Sequence, residues 1–148
     1  MNIWSEVQLT TVEIIFIPIN VEDHWISIVA KVKKRKLEFY DPQGVTNVQD
    51  NKRYKHILSL LEKELKNLFK MTEDWIMSSP LHVNQNDNMS CGLFVCFYAY
   101  KIKNNLDIAC NLNTFEFRRF MYNFLEEECL AGDKYIQPND SQYAIKDI

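Results

Sequence analysis

The chain has 148 residues, 47% of them hydrophobic and 13% aromatic, which suits one domain with one real core. Its 17 Lys and Arg against 20 Asp and Glu leave a net charge of −3, which argues against a strongly basic face and a nucleic-acid partner. The opening MNIWSEVQLT lacks a basic start followed by a long apolar run. The longest nearly uncharged run, Ile14 to Val21, is too short for a bilayer, so neither a secretory leader nor a membrane association is expected.

In chain order, Glu13 to Ile19 reads as a strand with Pro18 near its end. Trp25 to Val32, rich in β-branched residues, reads as a buried central strand. Lys33 to Lys36 (KKRK) reads as a tight solvated turn in preference to a nuclear-localisation signal, and Leu37 to Tyr40 as the returning hairpin partner. Asp41-Pro42-Gln43-Gly44 stops that strand with turn chemistry. Gln49 to Lys70 has a helical period, with Ile57, Leu58, Leu61, Leu65, Leu68 and Phe69 on one face. Trp75 to Val83 is extended and broken by Pro80, and Asn84 to Ser90 is a polar loop. Cys91 to Ile102 is apolar all round, as a buried central helix would be. Thr114 is placed to N-cap a last amphipathic helix with Glu116 in its first turn, and the polar tail from Gly132 belongs at the surface. Strands, helix, strand and two helices give an α+β domain with segregated layers over residues 1–148.

Nothing accompanies the four cysteines (Cys91, Cys96, Cys110, Cys129) that points to secretion, so free thiols in a reducing compartment, nucleus or cytoplasm, are expected. There is no CxxC or HxxxH pair, so neither a metal nor another cofactor is expected. Cys91 follows a polar loop and opens an apolar helix, where the positive end of the helix dipole favours a thiolate. Gly92 lets backbone approach a substrate carbonyl, and Gln85, six residues before Cys91, can offer its side-chain amide to an oxyanion. Taken alone, Cys91 fits a buried structural thiol better, the commoner fate of cysteine. Cys96 reads as core, and Cys110 and Cys129 have no polar constellation around them. Three histidines could serve as base. His56 lies on the helical stretch beside Lys55, and His82 on the short strand could face either way. His24 stands where the acidic Val21-Glu22-Asp23 meets an apolar strand. Asp41 ends the partner strand at the same end of the hairpin, side by side with His24, where a carboxylate can hold an imidazole.

Asp23-His24-Trp25, Phe39 to Gly44 (FYDPQG) and Gln85 to Cys96 (QNDNMSCGLFVC), in that order, resemble the three motifs of the SUMO-specific, or ubiquitin-like-protein-specific, cysteine protease family. The resemblance spans roughly Ile14 to Tyr100. It implies a papain-like α+β fold of that family's type, a central mixed sheet packed on a buried helix that starts at the nucleophile. It implies Cys91 as nucleophile, His24 as base, Asp41 as orienter, Gln85 as oxyanion donor and Trp25 flanking the tunnel for the modifier's Gly-Gly tail. The expected activity is peptidase or isopeptidase cleavage after that tail by a monomer, with SUMO or a related modifier and its conjugates as partners. Three departures stand out: Ser90 replaces the usual acidic residue before the cysteine, Asn88 replaces a frequent glycine, and only Met1 to Val12 precede the first strand. The chain is therefore expected to lack the family's N-terminal helical part, as a fragment or as a minimal relative such as those of viruses and mobile elements. An adenovirus-type maturation endopeptidase, which usually has glutamate as the acid, is the alternative within the same chemistry. An inactive copy acting as a modifier-binding module is the alternative of another class.

Overall fold

A computed structural model describes residues 11–44 and 52–132. Among these residues four strands form one mixed sheet: β1 (Ile14–Val21), β2 (His24–Lys31), β3 (Lys36–Tyr40) and β4 (Ile76–Ser78), in the spatial order β1-β2-β3-β4. The first three are antiparallel neighbours, and β4 runs parallel to β3 after a crossover through α1 (Lys52–Phe69). Residues 49–51 of the expected helix, and the tail beyond Gly132, lie outside the described residues. The basic turn between β2 and β3 is a 3-10 turn, Val32–Lys34, closed by Arg35 in the left-handed region at φ 47.

The period of two along a strand divides the sheet into two buried faces. Ile26, Ile28, Ala30, Leu37 and Phe39 share one core cluster with Tyr54, Leu58 and Leu65 of α1 and with Trp75. On the alternate positions, Ser27, Val29 and Tyr40 are equally buried. Helix α2 (Cys91–Lys103) packs on β2, and the Tyr40 and Tyr98 rings lie 5.6 Å apart. Burial of β2 from both sides is why its interior has no polar alternation.

Helix α2 departs from the expectation of a helix buried all round. Its buried residues, Cys91, Phe94, Val95, Phe97 and Tyr98, recur at helical spacing along one stripe, and Cys96 is exposed. Cys96 is therefore not a core residue: on a helix, five residues after Cys91 falls on a different face.

The chain divides into two compact units, Met1–Asn111 and Leu112–Ile148. The described part of the second contains α3 (Thr114–Gly132). Its cap is Asn113, not Thr114: the Asn113 side-chain oxygen accepts the Glu116 N–H at 3.2 Å, and its backbone oxygen accepts that of Phe117 at 3.0 Å. Asparagine is at least as good as threonine in that position, so the helix starts one residue earlier than a Thr114 cap would allow.

Candidate active site

A two-residue turn fixes the start of β2. Val21 pairs with His24 across it, and Glu22 and Asp23 both have left-handed backbones, φ 49 and 65. Two consecutive positive φ values give the hairpin geometry whose twist matches that of the flanking strands, with glycine replaced here by Glu and Asp. On the other side, β3 pairs with β2 out to Ser27–Tyr40, so Asp41 is the first residue past the ladder. The two ends bring His24 and Asp41 together: His24 Nε2 donates to Asp41 Oδ1 at 2.7 Å.

Asp41 is fully buried, so its carboxylate depends on hydrogen bonds for the stabilisation that water would give. Oδ1 also accepts the Gln43 N–H at 2.8 Å, and Oδ2 accepts the Tyr54 hydroxyl of α1 at 3.3 Å. A neutral imidazole that gives its Nε2 proton to Asp41 keeps a lone pair on Nδ1, so the pair leaves one basic nitrogen for chemistry.

The Gln85–Ser90 loop is tied to the Asp41 turn, because Gln85 N–H donates to Pro42 O at 2.7 Å. Asp87 then gathers the loop around itself: Oδ1 accepts the N–H groups of Met89 and Ser90, and Oδ2 accepts the Ser90 hydroxyl, each at 2.7 Å. The Ser90 side chain thus turns back into the loop and makes no capping bond to α2. The first N–H groups of a helix have no intrahelical partner, so the end that begins at Cys91 favours negative charge. Cys91 is buried, 7% exposed. Asn88 is not among the residues with positive φ, so the missing glycine costs no backbone strain there.

Trp25 joins the two halves. It is 41% exposed, and a methyl carbon built on Gly92 would lie 3.6 Å from its Cδ1. The residue after His24 therefore faces the residue after Cys91, with room for a methyl carbon between them. Gln85 is more occupied than expected: its Nε2 donates to Asp87 O at 2.6 Å, and its Oε1 is buried without a partner. His56 is exposed on α1. His82 is buried beneath the Asp41 turn, with Nε2 3.0 Å from Asp41 O. Among the described residues, no three His, Cys, Asp or Glu side chains gather where they could hold a metal ion.

Sequence reasoning missed Tyr54, Asp87 and the contacts of His82. Asp87 had a signal, since Asp-x-x-Ser ahead of a helix is a recurrent self-bonding turn. Tyr54 had none, because its hydroxyl reaches Asp41 only through the packing of α1 on the sheet.

Residues 1–131 match the family model described as the Ulp1 protease family, C-terminal catalytic domain. The chain is 30% identical over 99 residues to Sentrin-specific protease 3 of Mus musculus and of Homo sapiens. The match covers 64% of this chain and 17% of each relative, so the chain spans about a sixth of the curated relatives it matches. A structure of the SUMO protease Ulp1 with its catalytic cysteine oxidised to a sulfonic acid superposes with a TM-score of 0.75 at 22% identity, covering 85% of this chain and 58% of that one. The C-terminal Ulp1 protease domain in complex with Smt3, the yeast ortholog of SUMO, gives a TM-score of 0.70 at 23% identity over 78% and 53%. These likenesses establish the α+β, papain-like architecture that the motifs implied.

Proposed function

The chain belongs to the Ulp1 protease family, and from that premise we propose that it is a cysteine peptidase acting after the C-terminal Gly-Gly of SUMO or a related ubiquitin-like modifier. The reading takes residues 1–148 as one catalytic domain and places its work in the nucleus or cytoplasm. No described helix is long and apolar enough to cross a membrane. The observation that carries the reading is the part-buried His24–Asp41 pair at 2.7 Å, set beside a tryptophan that faces the glycine following Cys91.

In this reading His24 Nδ1 takes the Cys91 thiol proton, and the sulfur attacks the carbonyl carbon of the modifier's last glycine. The developing oxyanion meets the Cys91 N–H at the start of α2. It also meets the Gln85 amide nitrogen, which carries two hydrogens and gives only one to Asp87. The intermediate collapses as His24 returns the proton to the departing amine, leaving a thioester. A water deprotonated by His24 then releases the modifier's carboxylate and restores the thiol. Asp41 does not receive a proton; its negative charge stabilises the imidazolium formed in each half-reaction. The half-exposed Trp25 ring is the surface on which the extended Gly-Gly tail lies, since glycines have no side chain to hold them off an aromatic face.

A SUMO carrying a C-terminal electrophile should label the protein at one cysteine. Cys91→Ala should abolish both labelling and hydrolysis while leaving modifier binding intact. Equal hydrolysis by wild type and Cys91→Ala would overturn the assignment. Labelling that persists in Cys91→Ala would move the nucleophile elsewhere.

A further inference from the structure

His82 is 6% exposed, and both of its ring nitrogens face carbonyl oxygens. Nδ1 lies 2.6 Å from Pro80 O, and Nε2 lies 3.0 Å from Asp41 O. A carbonyl oxygen can only accept, whereas a neutral imidazole has one N–H to give. A neutral His82 would therefore set two lone pairs against each other at hydrogen-bond distance, in a place where an unmade bond is costly. Only the doubly protonated ring makes both contacts.

The surroundings suit a cation. Three titratable groups face the ring: Tyr40 from β3, Tyr98 from α2, and Asp41 in the turn whose carbonyl it holds. The Tyr40 and Tyr98 rings stand edge-to-face with it at 5.4 and 5.3 Å. Burial, and then the charge of Glu38, pushes the Tyr40 phenol far up; burial, and then the charge of Asp41, does the same for Tyr98. Both phenols therefore stay neutral, and each has its own acceptor, Glu38 for Tyr40 and Val83 O for Tyr98. The Nε2 contact is to the backbone oxygen of Asp41, the residue whose side chain is a fully buried carboxylate, and such a carboxylate gains from a cation close by.

We propose that His82 donates from both ring nitrogens as a buried imidazolium, and that it is a positioning residue for the His24–Asp41 pair. Its Nε2–H fixes the carbonyl of Asp41, and its Nδ1–H fixes the Pro80 carbonyl at the head of the segment leading to Gln85 and Cys91. Together with the Gln85 N–H bond to Pro42 O, this clamps the turn that carries the acid to the loop that carries the nucleophile. The catalytic consequence rests on the peptidase reading above; the protonation state does not.

The test uses the full chain with 15N-labelled histidine. Its three ring systems are assigned by elimination with His24→Ala and His56→Gln, so no His82 variant is needed for the first readout. At neutral pH, His82 should show two ring N–H protons, both nitrogens having the shift of a donor. A single ring N–H would overturn the proposal. The second readout is His82→Phe, which keeps a ring and removes both donors. The His24 Nε2 proton should then exchange with water about tenfold faster, the loss of one hydrogen bond to a charged group. In a SUMO-fluorophore assay kcat should fall by a similar factor, with KM unchanged. A folded His82→Phe with the wild-type exchange rate would overturn the positioning role. If that variant does not fold, His82→Gln, which can satisfy one acceptor but carries no charge, takes its place under the same criterion. Both NMR results together with no hydrolysis by the wild-type protein would sink the peptidase reading and leave this one standing.

Discussion

Asp41→Asn isolates the charge of the site from its geometry. The amide can keep its oxygen toward His24 Nε2 and the Gln43 N–H, at 2.7 and 2.8 Å in the native chain, and turn its NH2 toward the Tyr54 hydroxyl, which can accept. Every hydrogen-bonded contact survives in outline, and the loss is the attraction between carboxylate and imidazolium. With charge centres about 4 Å apart and an effective dielectric near 20, that attraction is about 4 kcal/mol. Imidazolium forms on the way to the transition state, so the loss falls on kcat, about a thousandfold, and not on modifier binding. His24→Ala removes the base itself and should cost more than Asp41→Asn. The assay is hydrolysis of a SUMO-fluorophore amide under single-turnover conditions, with circular dichroism to show that both variants fold. Asp41→Asn within about fivefold of wild type would mean that the buried charge does not act on His24, and the reasoning would fail. A loss equal to that of His24→Ala would show that orientation, not charge, is what Asp41 supplies.

Three further outcomes follow from other parts of the fold. Glu38 is buried, and although burial opposes its charge, bonds from Lys31 at 2.9 Å, Tyr40 at 2.6 Å and Lys36 at 3.1 Å win and hold its carboxyl below the ordinary value of 4.5. A depressed carboxyl stabilises above the unfolded value and loses that contribution as pH falls. Glu38→Gln should therefore lower stability by about 2 kcal/mol in urea melts at neutral pH, the gap closing as pH drops below 4.5; a pH-independent gap would contradict this. Lys70, just past α1, sits in the left-handed region at φ 53, with Met71 N–H reaching back to Lys66 O at 2.9 Å. Lys70→Gly should stabilise by about 0.5–1 kcal/mol in the same melts, and a loss of stability would refute the strain argument. Trp25→Ala should raise KM for a substrate ending in Gly-Gly by about tenfold while alkylation of Cys91 by iodoacetamide holds its rate; an unchanged KM would remove Trp25 from the tail path.

The hairpin and its polar pair were legible because the information is local. His24 and Asp41 are 17 residues apart, and turn chemistry at each end of two short strands sets which residues meet. The rest depends on packing between distant segments. That β4 joins the sheet beside β3, and in parallel, follows from α1 folding back over one face, which no periodicity in Trp75 to Val83 announces. One-sided burial of α2 was hidden by its composition, since an apolar run looks the same whether one face or every face is covered. The contact of His82 with the Asp41 carbonyl joins residues 41 apart in sequence and exists only once the segment before α2 docks under the Asp41 turn.

The gap between Gly92 and Trp25, wide enough for one methyl carbon, acts as a spacing gauge for the whole site. His24 belongs to the sheet and Cys91 to the helix, so the gap between sulfur and imidazole is whatever separation those two layers adopt, and any side chain introduced at position 92 becomes a shim between them. At 3.6 Å a methyl group fits without displacing the indole, and a bulkier group must push α2 and β2 apart or drive the ring outward into the tail path. A graded series at this one position, glycine to alanine to serine to valine, would therefore tune the reach of the Cys91 sulfur in steps without replacing any titrating group.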